Sequence, residues 1–405
     1  MRLTASILIV TYNSELHVTP CLEALLAEIR PDDEVILVDN ASADGSLVQA
    51  STFGGRVQVM ASADNRGYSG GNNLAARLAH GDLLILLNPD TQVRPGWRNA
   101  LAQAFDDETV GIAGSKGRYP DGRIQHAGGV IDPLTANAVH LGDGQADNGQ
   151  HDQVADVDYV SGFALATRRT LWERLGGLCE DYYPAYYEEV DYCFRARRVG
   201  LRTVFVPRAE VTHVHAPNAG FGEWGGAYAL RQRWFFGLRH LGVTELRSMA
   251  LADKAALSGE STALRGERYV DAYAQVLWMA ARIWISRSDD PTLGRPLTAE
   301  EQATILRELR DLHDRAMLLA SQEVVAPHLQ AIRERIHTLP VPPGQVAIPI
   351  RDLGAWLRHK TSQWIRDPEA AAWRAYAKSA QSVLRSITDT IRALDWVSRR
   401  HEGPQ

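Results

Sequence analysis

The chain has 405 residues, of which 45% are hydrophobic, so it is long enough to bury substantial cores and is expected to form two domains. Its formal net charge of −6 gives no support for a nucleic-acid-binding protein, because such proteins present a basic surface. No run of about 18 uncharged apolar residues occurs, so no transmembrane helix is predicted.

The cysteines and the first residues of the sequence indicate the cellular compartment in which the protein is expected. Cys21, Cys179 and Cys193 show no close metal-type pairing, and three cysteines leave one over in any disulfide scheme. A reducing cytoplasm is the simplest location for such a chain. The sequence enters a predicted strand within a few residues of Met1, so no signal peptide is expected.

Three aliphatic runs, residues 6–10, 34–38 and 83–87, each stop at polar residues, and plausible helices follow the first two. Strand, helix and strand repeated at this spacing predict a parallel sheet. Pro89 cannot continue a central ladder, so the third strand must end before it. The carboxyl ends of parallel strands open onto one crevice, and this convergence favours a binding site over simple helix capping by Asp90. The polar residues at the three ends are Thr11, Tyr12, Asn13, Asp39, Asn40, Asn88 and Asp90.

A glycine-rich segment, residues 65–73, precedes a predicted helix at residues 74–79. Glycines before a helix allow backbone amides to approach a phosphate, and Arg66 would add positive charge. The spacing matches neither a dinucleotide fingerprint nor a phosphate loop. Alone, the segment is typical of a flexible turn, but between strand-end carboxylates it favours a binding role.

Three acids, Glu188, Glu189 and Asp191, open a predicted helix that ends at Gly200. Acidic side chains in a first turn also stabilise the helix dipole, so each has a purely structural interpretation. For Glu188 and Asp191 the structural and functional interpretations are equally open.

Two histidines close a predicted strand at residues 209–216. Side chains alternate along a strand, so His213 and His215 are expected on one face, which favours a site over two unrelated structural histidines. Residues 220–226 then predict an aromatic loop that contains Trp224.

Beyond residue 240 helical periodicity replaces the strand runs, so we predict domains at residues 1–240 and 241–405. Residues 298–301 resemble a capping box that opens a long helix, and its apolar stripe predicts packing against neighbouring elements.

The end of the chain carries further helical patterns. Residues 339–344 predict a linker or break, and residues 373–394 predict a last long helix. Residues 351–366 are typical of a helix that lies on a membrane surface, and equally of a docking or dimer helix.

An ordered set of motifs in the first three fifths of the chain resembles the family 2 glycosyltransferases, particularly their bacterial rhamnosyltransferase-like branch. The motifs stand at residues 11–13, 38–46, 65–73, 87–91, 160–169, 187–195 and 207–213. The resemblance implies a GT-A fold, an α/β domain with a mostly parallel Rossmann-like sheet, here followed by an all-helical region. It also implies a nucleoside-diphosphate-sugar donor, with dTDP-rhamnose ahead of UDP-sugars.

Carried over by position, the resemblance implies that Asp39 accepts a hydrogen bond from a pyrimidine base. Asp90 and His213 would hold a divalent cation, Mg²⁺ or Mn²⁺. Asn88 replaces the first acid of the family's Asp-x-Asp motif, so metal dependence is expected to be weaker than at a two-carboxylate site. The full donor-binding set implied is Thr11, Tyr12, Asn13, Asp39, Asn40, Asn65, Arg66, Gly67, Asn72, Asn88 and Asp90.

The resemblance places Glu189 at the catalytic-base position, where the family usually has Asp. If the longer side chain does not reach the acceptor, Asp191 is the alternative base. The implied acceptor region comprises Gly162, Glu188 and Trp224, and Trp224 would either stack on a sugar face or pack against the protein.

The predicted function is inverting sugar transfer to a hydroxyl of a glycan or lipid-linked acceptor, in glycan or cell-envelope polysaccharide synthesis. A catalytically weak sugar-nucleotide-binding or scaffold protein is the alternative, motivated by Asn88 and Glu189. A sugar nucleotidyltransferase ranks behind, because residues 11–14 lack the basic loop that a triphosphate needs. A glycosidase would need a second acid across the scissile bond. Homo-oligomerisation and binding at the inner membrane face stay open.

Overall fold

The computed structural model describes residues 3–214, 225–258 and 267–337. Its strands are β1 (Ala5–Thr11), β2 (Glu34–Asp39), β3 (Gln58–Ala61), β4 (Leu83–Leu87), β5 (Thr91–Val93), β6 (Val110–Arg118), β7 (Ile124–His126), β8 (Gly129–Ile131), β9 (Ala138–His140), β10 (Ala155–Asp156), β11 (Ala164–Arg168) and β12 (Arg202–His213). Its α-helices are α1 (Glu15–Glu28), α2 (Ser46–Ser51), α3 (Gly67–Ala76), α4 (Trp97–Ala104), α5 (Arg169–Leu175), α6 (Glu188–Arg198), α7 (Gly225–His240), α8 (Val243–Ser258), α9 (Glu267–Asp289) and α10 (Ala299–His337).

The central sheet has ten strands, and β1 to β4 form its parallel part. β1 pairs in parallel with β2 and β4, and β2 pairs in parallel with β3. On the other side β11 lies antiparallel between β4 and β6, while β12 runs parallel to β6. All five residues of β4 are buried, as expected of a strand covered on both faces. The predicted fold class, a mostly parallel α/β domain followed by helices, is confirmed.

The polar strand ends meet as predicted. Thr11 and Asp39 are paired directly at the ends of β1 and β2. β4 ends at Leu87, two residues before Pro89. Because Leu87 pairs with Ile9, the turn that carries Asn88 and Asp90 begins beside the last residues of β1.

The glycine-rich segment differs from the prediction. Helix α3 begins at Gly67, inside the segment, and not after it at residue 74. A Cβ atom at Gly71 would lie 2.5 Å from Val10 Cγ1 in β1, and one at Gly67 would lie 2.6 Å from the carbonyl oxygen of Pro184. The glycines therefore permit close packing of a helix against the sheet, so the flexible-turn interpretation is wrong.

A buried ion cluster joins α6 to α7. Asp191 is fully buried, and its Oδ2 accepts a hydrogen bond from Arg195 Nε at 2.7 Å, one turn along its own helix. Its Oδ1 accepts from Arg239 Nε at 2.7 Å and from His240 Nε2 at 2.8 Å, both on α7. Burial alone would raise the pKa of Asp191, but the guanidinium charges of Arg239 and Arg195 hold it well below its usual range. The carboxylate thus fixes the position of α6 against α7.

The predicted capping box at the start of α10 is present. Thr298 N donates to Glu301 Oε2 at 2.8 Å, and Glu301 N donates to Thr298 Oγ1 at 3.2 Å. Ile305 and Leu309, from the predicted apolar stripe, are buried. In the described part of the chain no helix combines the length and apolarity needed to cross a bilayer.

The chain divides into two compact units, Met1–Ala255 with Ala272–Leu309, and Ala256–Asp271 with Arg310–Gln405. The domain boundary at residue 240 stays a prediction. Several predictions concern residues outside the described ranges: His215, Trp224, the break at 339–344, and the helices at 351–366 and 373–394.

Replacement of Gly71 by alanine tests the close packing of α3. The added methyl group must displace Val10 or α3, so we expect destabilisation of about 1–3 kcal/mol, although alanine favours a helix by about 1 kcal/mol. Chemical denaturation of the purified chain measures the change. Gly55→Ala is the control, because its Cβ would meet nothing within 4 Å. An equal effect of both variants would contradict the packing explanation.

Asp191→Asn tests the ion cluster. Loss of the carboxylate leaves Arg195 and Arg239 buried without their counter-charge, which costs about 3–5 kcal/mol of unfolding free energy. The matched control is Glu173→Gln, which breaks another (i, i+4) pair, with Arg169, whose side chains are largely exposed. That exposed pair contributes at most about 1 kcal/mol. Equal losses in denaturation experiments would show that Asp191 does not anchor α6.

Candidate functional site

The ends of β1 and β2 present buried polar atoms that lack partners. Thr11 is fully buried and Asp39 is 2% exposed. Asp39 Oδ2 accepts a hydrogen bond from Ser42 N at 3.0 Å, whereas Asp39 Oδ1 and Thr11 Oγ1 have no partner among the described residues. An unsatisfied buried carboxylate oxygen is costly, so it is suited to a donor group on a ligand.

The asparagines predicted around this edge are fixed by their amide nitrogens. Asn40 Nδ2 donates to Gly67 O at 2.9 Å, and Asn72 Nδ2 donates to Tyr68 O at 3.0 Å. The Oδ1 atoms of both are buried and have no partner in the described chain. Asn65 Oδ1 accepts from Gly67 N at 2.8 Å, which shapes the start of α3.

The remaining residues of the predicted donor set lie nearer to solvent. Asn13 takes a left-handed conformation, with φ 50°, and its Oδ1 accepts from Ala43 N at 2.8 Å, which ties the loop after β1 to the loop after β2. Tyr12 is 49% exposed. Arg66 is partly exposed beside Asp64, with Nε 3.3 Å from Oδ1, so its guanidinium is accessible to an anion.

Asp90, His213 and Asn88 come together from the β4–β5 turn and the end of β12. His213 Nε2 lies 3.1 Å from Asp90 Oδ1 and 3.4 Å from Asn88 Nδ2. His213 Nδ1 lies 2.8 Å from Gln125 Oε1, and this contact fixes the orientation of the ring. Burial would raise the pKa of Asp90, but the hydrogen bond and charge of His213 hold it below its usual range.

This trio fits the predicted divalent cation in its donor atoms. Carboxylate and amide oxygens are ligands of both Mn²⁺ and Mg²⁺, whereas the imidazole nitrogen suits a transition metal such as Mn²⁺. The described residues contain no group of three or more His, Cys, Asp or Glu side chains arranged for a metal. Asp90 and His213 can therefore supply part of a coordination shell, and a ligand must supply the rest.

The first turn of α6 holds the two glutamates in different environments. Glu188 is 4% exposed, and burial followed by repulsion from Glu189 raises its pKa well above its usual range. Burial raises the pKa of the half-buried Glu189 to about 7. Neither Oε2 atom has a partner among the described residues. The pair thus keeps one proton near neutral pH, and Glu189 is the carboxyl that ionises first.

Tyr68 and Phe163 connect the glutamates to the strand ends. Burial and then the charges of Glu188 and Glu189 raise the pKa of Tyr68, whose hydroxyl donates to Gly162 O at 2.5 Å. The next residue, Phe163, accepts from Asn88 N at 2.9 Å, and its ring centroid lies 4.9 Å from that of His213. A Cβ at Gly162 would lie 2.7 Å from the Tyr68 hydroxyl, so glycine is required there.

The loop before α6 depends on Gln232, which no sequence motif marked, and on Tyr187, the first residue of the motif at 187–195. Gln232 is fully buried on α7 and its Nε2 lies 2.6 Å from Tyr182 O and 3.2 Å from Ala185 O. Tyr187 has φ 69°, and its hydroxyl donates to Ala136 O at 3.0 Å and accepts from Ala138 N at 3.0 Å. These contacts fix the position of the first turn of α6. The sequence gives no signal for Gln232, because a glutamine among arginines and aromatic residues identifies no partner.

Asp191 lies one turn further along α6, inside the ion cluster. Its carboxylate oxygens are occupied by Arg195, Arg239 and His240, and its side chain is not exposed. These contacts argue against Asp191 as the base. Trp224 falls outside the described residues.

The family-model match and the similar proteins agree on one family. Residues 6–173 match the sequence model of glycosyl transferase family 2. The N-acetylglucosaminyl-diphospho-decaprenol L-rhamnosyltransferase of Mycobacterium tuberculosis is 31% identical over 235 residues, which cover 52% of this chain and 76% of that protein. The low-salt glycan biosynthesis hexosyltransferase Agl10 of Haloferax volcanii is 26% identical over 211 residues, covering 48% of this chain and 62% of that protein.

Other similarities are more partial. The uncharacterized protein y4gI of Sinorhizobium fredii is 31% identical over 200 residues, which cover 46% of this chain and 22% of that protein. Among solved structures, GalNAc-T7 with UDP, GalNAc and Mn²⁺ aligns over 72% of this chain and 59% of that chain, with 16% identity and a TM-score of 0.49. On the sequence similarities, this chain belongs to glycosyl transferase family 2.

Proposed function

We propose that the protein is an inverting glycosyltransferase that moves a sugar from a nucleoside-diphosphate sugar to a hydroxyl acceptor. The observation that carries the proposal is Glu189, a carboxyl with a pKa near neutrality and an oxygen without a partner among the described residues, whose charge acts on Tyr68 in α3. Transfer to a hydroxyl group requires a carboxylate that can accept the hydroxyl proton near neutral pH and that lies beside the nucleotide-binding crevice.

The donor's nucleoside is proposed to bind at the ends of β1 and β2. Asp39 Oδ1 can accept a hydrogen bond from a base N–H group, and Thr11 Oγ1 can donate to a base or ribose oxygen. Arg66 is placed to pair with the diphosphate, because its side chain stays accessible at the start of α3.

Asp90 and His213, with Asn88 beside them, are the residues that would hold a divalent cation. When bound, such an ion supplies positive charge that stabilises the leaving diphosphate, a contribution of several kcal/mol. The chain's own contribution is to keep Asp90 ionised through His213 and to fix that ring through Gln125.

The transfer step needs one base. The acceptor oxygen attacks the anomeric carbon on the face opposite the diphosphate, the bond from that carbon to the leaving oxygen breaks, and Glu189 takes the hydroxyl proton. Configuration at the anomeric carbon inverts because attack and departure occur on opposite faces. Glu188 stays protonated beside it, so the acceptor meets one negative charge and one neutral carboxyl.

For substrates we propose dTDP-rhamnose first and UDP-sugars next, with a glycan or lipid-linked acceptor in glycan or envelope polysaccharide synthesis. The rhamnosyltransferase of Mycobacterium tuberculosis supports this choice, since its name gives a sugar-diphosphate-decaprenol acceptor and rhamnose as the transferred sugar.

Glu189→Gln and Glu188→Gln form a matched pair that tests the base. General-base catalysis contributes about 10²–10⁴ in rate, so Glu189→Gln should lose that much kcat while donor binding persists. Glu188→Gln should stay within about tenfold of wild type, because glutamine resembles the protonated carboxyl. The kcat of wild type should fall as the pH drops below about 7, since the base must be ionised and burial raises the pKa of Glu189 to about 7.

The reverse ranking of these two variants would assign the base to Glu188. Equal activity of both with wild type would contradict the proposed mechanism. Donor hydrolysis, measured in parallel with acceptor transfer, separates loss of the base from loss of acceptor binding.

Calorimetric titration with nucleoside diphosphates and nucleotide sugars tests the donor site. We expect one pyrimidine diphosphate to bind more tightly with Mn²⁺ than without it, and Asp90→Ala to abolish that enhancement, because the carboxylate is a cation ligand. Asp39→Ala should weaken binding with or without Mn²⁺. Asp106→Ala, which removes an exposed acid just after α4, is the control. Failure of every nucleotide to bind would favour the scaffold alternative.

A further inference from the structure

A second polar cavity lies away from the strand-end site, at the amino end of α8. Its volume is about 390 Å³, and its wall includes Arg198, Arg287 and Arg295. Arg198 is the last residue of α6, whose first turn carries Glu189. At the rise of an α-helix the two residues are roughly 14 Å apart along its axis, so the cavity is separate from the proposed catalytic centre.

The arginines of this cavity carry more positive charge than the described residues around them compensate. Arg287 is 2% exposed, and its guanidinium donates to the carbonyl oxygens of Leu238, at 2.8 Å, and Arg295. Among the described residues neither Arg287 nor Arg198 forms a salt bridge with a carboxylate, whereas Arg295 pairs with Glu301 at 2.6 Å. Burial and the nearby charges of Arg198 and Arg295 lower the pKa of Arg287 to about 10. The charge of Glu301 acts in the opposite direction, but its carboxylate is paired with Arg295, so the buried Arg287 is incompletely compensated and the site favours an anion.

Helix α8 adds backbone donors to the same cavity. Gly242 precedes its first turn, and Val243 and Thr244, which line the cavity, have N–H groups with no partner inside the helix. The positive end of the helix dipole points to the same place. Glu245 also lines the cavity and would lie with an oxygen 2.7 Å from a Cβ at Gly242, so one carboxylate offsets part of the charge.

Gly294 leaves the space that the Arg287 side chain occupies. A Cβ at Gly294 would lie 2.6 Å from Arg287 Nη2 and 2.7 Å from the carbonyl oxygen of His240. The hydrogen bonds from Arg287 to backbone carbonyl oxygens, together with the close approach of Gly294, hold its guanidinium in one orientation. A fixed guanidinium next to a helix amino end is an arrangement that suits a tetrahedral oxyanion.

We propose that this cavity binds a phosphate group, held by Arg198, Arg287 and the first N–H groups of α8. The chemistry is that of a phosphate monoester or diester, either as a free anion or as a phospholipid headgroup. Glu245 limits the affinity, because its carboxylate repels the same anion.

The test is titration of the full chain with inorganic phosphate, followed by calorimetry at low salt. Arg198→Gln should weaken binding about tenfold or more, as expected for loss of a charge-assisted hydrogen bond, and Glu245→Gln should tighten it. Arg197→Gln is the matched control, because this neighbour on α6 instead pairs with Asp158 at 3.1 Å and stacks on Phe194. No binding by wild type, or equal weakening by the Arg197 and Arg198 variants, would overturn the proposal.

A second comparison separates this site from the proposed donor site. Loss of phosphate binding in Arg66→Gln, with none in Arg198→Gln, would place the anion at the strand ends and overturn the proposal. Sedimentation with phosphatidylglycerol or phosphatidylcholine vesicles distinguishes the sources of phosphate. Sedimentation with either vesicle that falls in Arg198→Gln but not in Arg197→Gln identifies a lipid headgroup, whereas phosphate binding without such sedimentation identifies a soluble anion.

Discussion

The carboxylate of Asp191 is buried between α6 and α7, where Arg195 and Arg239 neutralise its charge and His240 donates a hydrogen bond to it. Such a group cannot shift without exposing or unpairing a charge. It therefore fixes the orientation of α6 and its position along its own axis relative to α7. The first turn of the same helix carries Glu188 and Glu189, and its last residue, Arg198, lines the second cavity. Both proposed sites therefore depend on one helix that a single buried charge holds in place.

The acids of that helix show how environment assigns chemistry. Asp191 meets two guanidinium groups and remains ionised, with its pKa well below the usual range. Burial raises the pKa of Glu188 and Glu189, three and two residues earlier, and repulsion from Glu189 adds to the rise at Glu188. Acids within a single helical turn thus differ in charge state, with Asp191 as an anchor and Glu189 as the proposed base. Spacing in the sequence does not fix these differences, because they depend on burial and on Arg239, which is distant in the sequence.

The parts of this structure that local pattern determines were predictable. An apolar run that stops before Pro89 ends a strand, and parallel pairing then brings Thr11 and Asp39 together. The start of α3 was not predictable from propensity, because glycine is a poor helix former and the close approach of Pro184 to Gly67 and of Val10 to Gly71 explains the glycines there. The roles of Gln125 and Gln232 were not predicted, for a related reason. A buried amide gains its meaning from partners distant in the sequence, here His213 and the loop at Tyr182.

Asn88 shows what replacing a metal-site acid does to the remaining groups. Its amide nitrogen, and not its oxygen, lies 3.4 Å from His213 Nε2. To give its oxygen to a cation, the amide must turn over, and His213 must exchange that contact for the metal. An aspartate would instead bring a second negative charge beside Asp90 and repel it without the ion. In the proposed cation site asparagine therefore brings one negative charge fewer, so more of the cation's affinity would have to come from the diphosphate of the proposed donor.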